Sequence, residues 1–205
     1  MKSKTSAKSR YAIGLTGSMG AGKSSVLKIL GQSIPVTDCD QINARLLEKE
    51  GKGWKALQKN GLLFLDETGE LDRKAMADAM FEDPKTRKQI EGILHALILE
   101  EMDAWIAGQQ GLCAVEVPLL FECDLEGHFD ETWTVACSYE TALQRLESGR
   151  HIAREEARRR LALQMAPEEK ISRADKVVYN DGSQDELQTQ VRTLLEQAKK
   201  EAEKM

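Results

Sequence analysis

Two kinds of apolar run alternate along this chain. Short unbroken blocks at residues 11–16 (YAIGLT), 34–37, 112–117 (LCAVEV), 132–137 and 176–179 have the length and flanking residues of buried strands. Between them apolar residues recur at three- and four-residue spacing, which predicts helices over residues 23–30, 40–50, 54–59, 73–81, 85–106, 139–147 and from about 184 onward. In the last of these, Leu187, Val191, Leu194, Leu195 and Ala198 form the stripe expected to face a core. Strands alternating with helices call for an open parallel sheet covered on both faces, an α/β fold. The gap from residue 38 to residue 111 far exceeds the roughly dozen residues of a simple crossover. It holds helical patterns divided by Gly51, Gly53, Gly61 and Pro84, and so reads as a helical insertion able to wall a second binding site.

Composition narrows this picture only a little. A chain of 205 residues is expected to be one domain, or one domain carrying a substantial insertion. No apolar run approaches the roughly 20 residues that span a bilayer, so a soluble globular protein without a membrane partner is expected. Residues 1–10 are basic and polar, with no apolar segment of a secretory signal behind them. They read as a frayed tail on a cytoplasmic protein. The four cysteines show no C-x-x-C pair and no metal-ligand spacing, and are expected as reduced, partly buried thiols. A net charge of −5 argues against a nucleic-acid partner engaged through the whole surface.

One string carries most of the chemistry. Gly17-Ser18-Met19-Gly20-Ala21-Gly22-Lys23-Ser24 fits G-x-x-x-x-G-K-[ST], and it lies between a predicted strand and a predicted helix. Glycines there let the backbone approach phosphates closely, so that successive N–H groups and the helix N-terminus point at the anion. Lys23 is expected on the β- and γ-phosphates and the Ser24 hydroxyl on magnesium. A magnesium–nucleoside triphosphate is therefore the expected ligand.

Such a loop also serves switches and motors. Asp66-Glu67-Thr68-Gly69 offers a D-x-x-G string, but a simple turn explains it and no N-K-x-D string follows. Three features favour a small-molecule kinase. Asp38 and Asp40 fall where the second strand ends, beside the ligand crevice of an open α/β sheet, although an Asp there also serves as a helix N-cap. The run 117–122 (VPLLFE) can line a pocket, and core packing explains it equally well. Arg145, Arg150, Arg154, Arg158, Arg159 and Arg160 can close over a nucleotide, form a solvated face paired at i, i+4, or bind RNA. Arg154 has no acidic neighbour three or four residues away.

Taken together the strings resemble the dephospho-coenzyme A kinase family. They are G-L-T-G-S-M-G-A-G-K-S-S from Gly14 to Ser25, D-C-D from Asp38 to Asp40, L-D-R from Leu71 to Arg73 and P-L-L-F-E from Pro118 to Glu122. Arg160, Gln164-Met165, Glu169-Lys170, Ala174-Asp175 and Asn180-Asp181-Gly182-Ser183 follow in order. The resemblance implies transfer of the ATP γ-phosphate to the ribose 3′-hydroxyl of dephospho-coenzyme A, by a monomer or small homo-oligomer. It implies a P-loop NTPase fold like that of nucleoside monophosphate kinases, with a five-stranded parallel sheet. Core segments would be 11–40, 111–149 and 167–205, the acceptor-binding helical insertion 41–110 and an arginine-bearing lid 150–166.

The resemblance also assigns residues. Lys23, Asp40, Arg145 and Arg150 would be catalytic. ATP would be held by Gly17, Gly20, Ala21, Gly22, Lys23, Ser24, Ser25, Arg160 and Asn180, with Mg2+ on Ser24. The acceptor would meet Asp38, Asp40, Leu71, Arg73, His95, Pro118, Leu119 and Glu122. Two local departures stand out. The family usually has His-Pro where this chain has His95-Ala96, and often an arginine at position 44, where this chain has alanine with Arg45 one place later. A nucleoside monophosphate kinase is the same-class alternative, and a nucleotide switch or RNA-binding module the different-class one.

Overall fold

The computed structural model describes residues 10–204, apart from the side chain of Arg150. The expected frayed tail, residues 1–9, lies outside them. In chain order the elements are β1 Arg10–Gly17, α1 Lys23–Leu30, β2 Val36–Asp38, α2 Cys39–Leu46, α3 Lys52–Lys59, α4 Arg73–Glu82, α5 Pro84–Ala107 and β3 Gly111–Glu116. There follow β4 Glu131–Ala136, α6 Tyr139–Arg150, α7 Arg154–Ala162, α8 Pro167–Arg173, β5 Lys176–Tyr179 and α9 Gln184–Ala202. No helix among the described residues is long and apolar enough to cross a membrane.

The strands form one five-stranded parallel sheet in the order β2-β3-β1-β4-β5, with β1 at its centre. Ile13 and Leu15 of β1 are wholly buried, as is Trp133 of β4, and they share one cluster with Val26 and Leu30 of α1. The α9 stripe joins the same cluster through Leu187, Val191, Leu195 and Ala198, with Leu194 partly buried beside them. A capping box starts α9: Glu186 N donates to the Ser183 hydroxyl, and Ser183 N donates to the Glu186 carboxylate at 2.7 Å.

The chain divides into two compact units, Met1–Thr37 with Ile106–Met205, and Asp38–Trp105. Residues 150–166 fall in the first. The second has its own apolar cluster, built on Leu47, Leu57, Ile90 and Leu94 with Phe64, Leu71 and Met80 packed against it, and Trp54 is also buried there. Asp66 makes the D-x-x-G string a turn, accepting from the N–H groups of Thr68 and Glu70 beneath a bridge between Leu65 and Leu71. Helix α5 continues through Ala96 without a break, since alanine keeps the backbone N–H that proline lacks. The helix expected over 40–50 stops at Leu46, and Glu50 takes a left-handed φ of 65° before α3.

Candidate active site

The phosphate loop joins β1 to the N-terminus of α1. Gly17 and Gly22 have φ of 146° and 95°, conformations that side chains rarely adopt. A Cβ at Gly22 would also strike the Asn180 carboxamide. The helix then starts on the Gly22 carbonyl, which accepts from Ser25 N at 3.0 Å and Val26 N at 3.3 Å. The Lys23 ammonium donates back across the loop to the carbonyls of Gly17 at 3.0 Å and Ser18 at 3.3 Å. Gly20, Gly22, Lys23, Ser24, Glu116 and Arg145 line a cleft of about 270 Å³. A cation, a hydroxyl and a carboxylate thus share one opening above a helix N-terminus, which suits an anion carrying its own metal ion.

The far side of the loop is held by side chains from α6 and from the residue that follows β5. Asn180 is buried, donating from Nδ2 to the Ala21 carbonyl at 2.8 Å while its own N–H meets the Ala136 carbonyl at 2.8 Å. Arg145 donates to the Asn180 carbonyl at 2.9 Å and to the Ala21 carbonyl at 3.3 Å. Arg145 therefore grips the loop from α6 while bordering the cleft. Next to Asn180, the Asp181 carboxylate accepts from Ser138 N at 2.8 Å, which holds its pKa below the usual carboxylate range. Gln164 Oε1 accepts from Met19 N at 2.9 Å, tying the segment after α7 to the loop.

The arginines of α7 are paired with carboxylates. Arg160 donates to Glu156 at 2.6 Å, Arg158 to Glu155 at 2.9 Å, and Arg159 lies 2.7 Å from Glu156. Arg154, with no acidic neighbour three or four residues away, pairs with two carboxylates: Glu147 at 2.6 Å and Glu140 at 2.5 Å. Both belong to α6, so counting neighbours along one helix missed them. Arg150 closes α6, and its side chain lies outside the described residues.

Of the expected acceptor residues, Pro118, Leu119 and Glu122 lie in the first unit and the rest in the second. Leu119 is 42% exposed, whereas the Glu122 oxygens are buried against Lys170. Asp38 caps α2, its carboxylate accepting from Gln41 N at 2.6 Å and also from the Gln41 side chain. Asp40, in the first turn of α2, is exposed, and its side chain makes no hydrogen bond or ion pair among the described residues. Leu71 packs into the second unit's apolar cluster. Arg73 opens α4 and His95 lies on α5, both exposed.

Glu116 was not picked out by its sequence, because in LCAVEV it reads as part of a strand. A carboxylate at the carboxyl end of a strand was the available signal, since ligand crevices form there. Gln164 had no signal beyond its place in a shared string.

Comparison with known proteins fits this geometry. The family model described as dephospho-CoA kinase matches residues 11–186. A dephospho-CoA kinase of Bacillus cereus is 36% identical over 189 residues, covering 89% of this chain and 94% of its own. A Thermus thermophilus protein of known structure is 32% identical with a TM-score of 0.78, covering 93% of this chain and 98% of its own. The dephospho-CoA kinase of Campylobacter jejuni has the same fold at a TM-score of 0.65 and 21% identity, over 93% of this chain and 98% of its own. With its model spanning most of the sequence and a relative above one-third identity, the chain belongs to the dephospho-CoA kinase family.

Proposed function

We propose that this protein transfers the γ-phosphoryl group of ATP to the ribose 3′-hydroxyl of dephospho-coenzyme A, giving coenzyme A and ADP. The observation that carries this is the cleft shared by Lys23, Ser24 and Glu116 in a chain of this family. The loop amides and Lys23 hold the triphosphate. Ser24 and Glu116 supply hard oxygen donors of the kind magnesium prefers, and they are the residues that would hold Mg2+. Bound there with ATP, that ion would offset the charge of the phosphates. Asn180 and Arg145 keep the loop in shape, with Asn180 next to the adenine.

Asp40 orients the acceptor hydroxyl and takes its proton as the new O–P bond forms and the β–γ bridging bond breaks, releasing ADP. Its lack of a protein partner among the described residues leaves both oxygens available. Arg73, His95, Pro118 and Leu119 contact the acceptor, while Asp38 and Leu71 support that surface by capping α2 and packing the second unit. Residues 150–166 act as the lid, bringing Arg150 and Arg160 to the phosphates. Exposed pairs such as Arg160–Glu156 are weak, so exchanging that partner for phosphate costs little. We assign the reaction to the cytoplasm, a reducing compartment that suits a chain read as carrying free thiols. The protein acts there without nucleic acid, as a monomer or small homo-oligomer.

The test offers purified protein ATP and Mg2+ with dephospho-coenzyme A, AMP, CMP or an RNA, and follows ADP release. Turnover with dephospho-coenzyme A alone is expected. ADP formed with a nucleoside monophosphate but not with dephospho-coenzyme A overturns the assignment.

A further inference from the structure

Glu122 and Lys170 form an ion pair that the reaction above does not use. Lys170 lies within α8 and its side chain is 1% exposed, with Nζ 2.6 Å from Oε1 of a Glu122 side chain that is 20% exposed. Beyond this contact, neither Lys170 Nζ nor either Glu122 oxygen makes a hydrogen bond among the described residues. Burying two charges with their hydrogen-bonding capacity unmet adds little net stability, and apolar residues of similar volume often fold as well or better. What the pair fixes in space therefore explains it better than what it contributes to folding.

It fixes one segment. Glu122 ends the run 118–122, in which Leu120 and Phe121 are buried while Leu119 stands exposed. Arg173, three residues beyond Lys170 on α8, lies over the Phe121 ring at 5.2 Å and pairs with Asp124 and Glu126. One short helix therefore holds this segment through two side chains. The same helix begins just after Gln164, which accepts from the phosphate loop at Met19.

We infer that Glu122 and Lys170 are positioning residues for phosphoryl transfer: their buried ion pair fixes the 118–124 segment to α8, so that Leu119 meets the acceptor in one place. Glu122 acts through Lys170 and does not touch dephospho-coenzyme A. This rests on the acceptor reading given above.

The experiment compares the parent, Lys170→Met, and the double variant Glu122→Leu with Lys170→Met, by thermal melting, steady-state kinetics and amide hydrogen exchange. Lys170→Met alone is expected to melt lower, because it strands a buried carboxylate. The double variant is expected to regain that stability, yet to exchange faster over residues 118–124. Its kcat/KM for dephospho-coenzyme A should fall on the order of a hundredfold, the scale of a small misplacement, with KM for ATP unchanged. Should the double variant not fold, Glu122→Gln, which keeps the volume and loses the charge, goes through the same measurements. Parental exchange over 118–124 together with parental acceptor kinetics overturns the inference. If the parent phosphorylates no dephospho-coenzyme A, the functional assignment falls, while the exchange measurement still judges the brace.

Discussion

Around the phosphate loop polar groups are committed to the protein; on the acceptor residues of the second unit several are not. Lys23, Asn180, Arg145 and Gln164 each make hydrogen bonds to the loop's backbone. Asp40, Arg73 and His95 are exposed, and their side chains make no hydrogen bond or ion pair among the described residues. The difference fits the two ligands. These side chains hold the loop backbone before a triphosphate arrives, so its N–H groups need no reorganisation during reaction. An acceptor bound by exposed side chains must order them on arrival, at about 0.5–1.5 kcal/mol for each immobilised side chain. The loop is built in advance; the acceptor surface is completed by its ligand.

The harshest challenge to this contrast is Lys23→Met. It removes the positive charge that borders the phosphate cleft and is expected to lower kcat on the order of a thousandfold, the upper end for one electrostatic donor. A coupled assay for ADP reads it, and a loss under tenfold would mean that the prebuilt charge matters little. Asp40→Asn comes next, with turnover expected to fall by at least about a hundredfold and ATP affinity nearly intact. Unchanged turnover would remove Asp40 from the mechanism and leave the acceptor side without a base. The smallest effect belongs to Asp38→Ala, which is expected to cost about 1 kcal/mol of stability through the lost cap of α2. Asp38→Asn should restore most of that in a thermal melt, since asparagine caps as well. Failure of asparagine to rescue would show that Asp38 contributes charge as well as a cap.

The sheet was legible because its signals are local. Residues 23–30 and 176–179 were delimited by periodicity and composition to the residue, and the loop between β1 and α1 by its string. The α9 stripe needed only 3.6-residue spacing. What stayed hidden depends on distant partners. Asn180 lies 159 residues from Ala21, whose carbonyl it holds, so no window of sequence brings them together. Lys170 sits among Glu168, Glu169 and Arg173, neighbours that give no sign of burial, and its partner Glu122 lies far back in the chain. The partners of Arg154 are hidden for the same reason, since α6 supplies both of its carboxylates. The loop's own residues could be read from sequence and Arg145 and Asn180 were named by resemblance, but their grip on the loop's carbonyls could not be read.

Trp133 is wholly buried in β4, with its indole N–H unpartnered among the described residues, and Trp54 is buried in the second unit. Each unit therefore carries its own optical label. The buried indole of Trp133 is expected to emit toward the blue and to shift red when water reaches the sheet. With Trp54 and Trp105 replaced by phenylalanine, that emission would report the sheet unit alone. Its melting curve, set beside that of the complementary Trp133→Phe protein, would show by light alone whether the phosphate-binding and acceptor-bearing units come apart together or in turn.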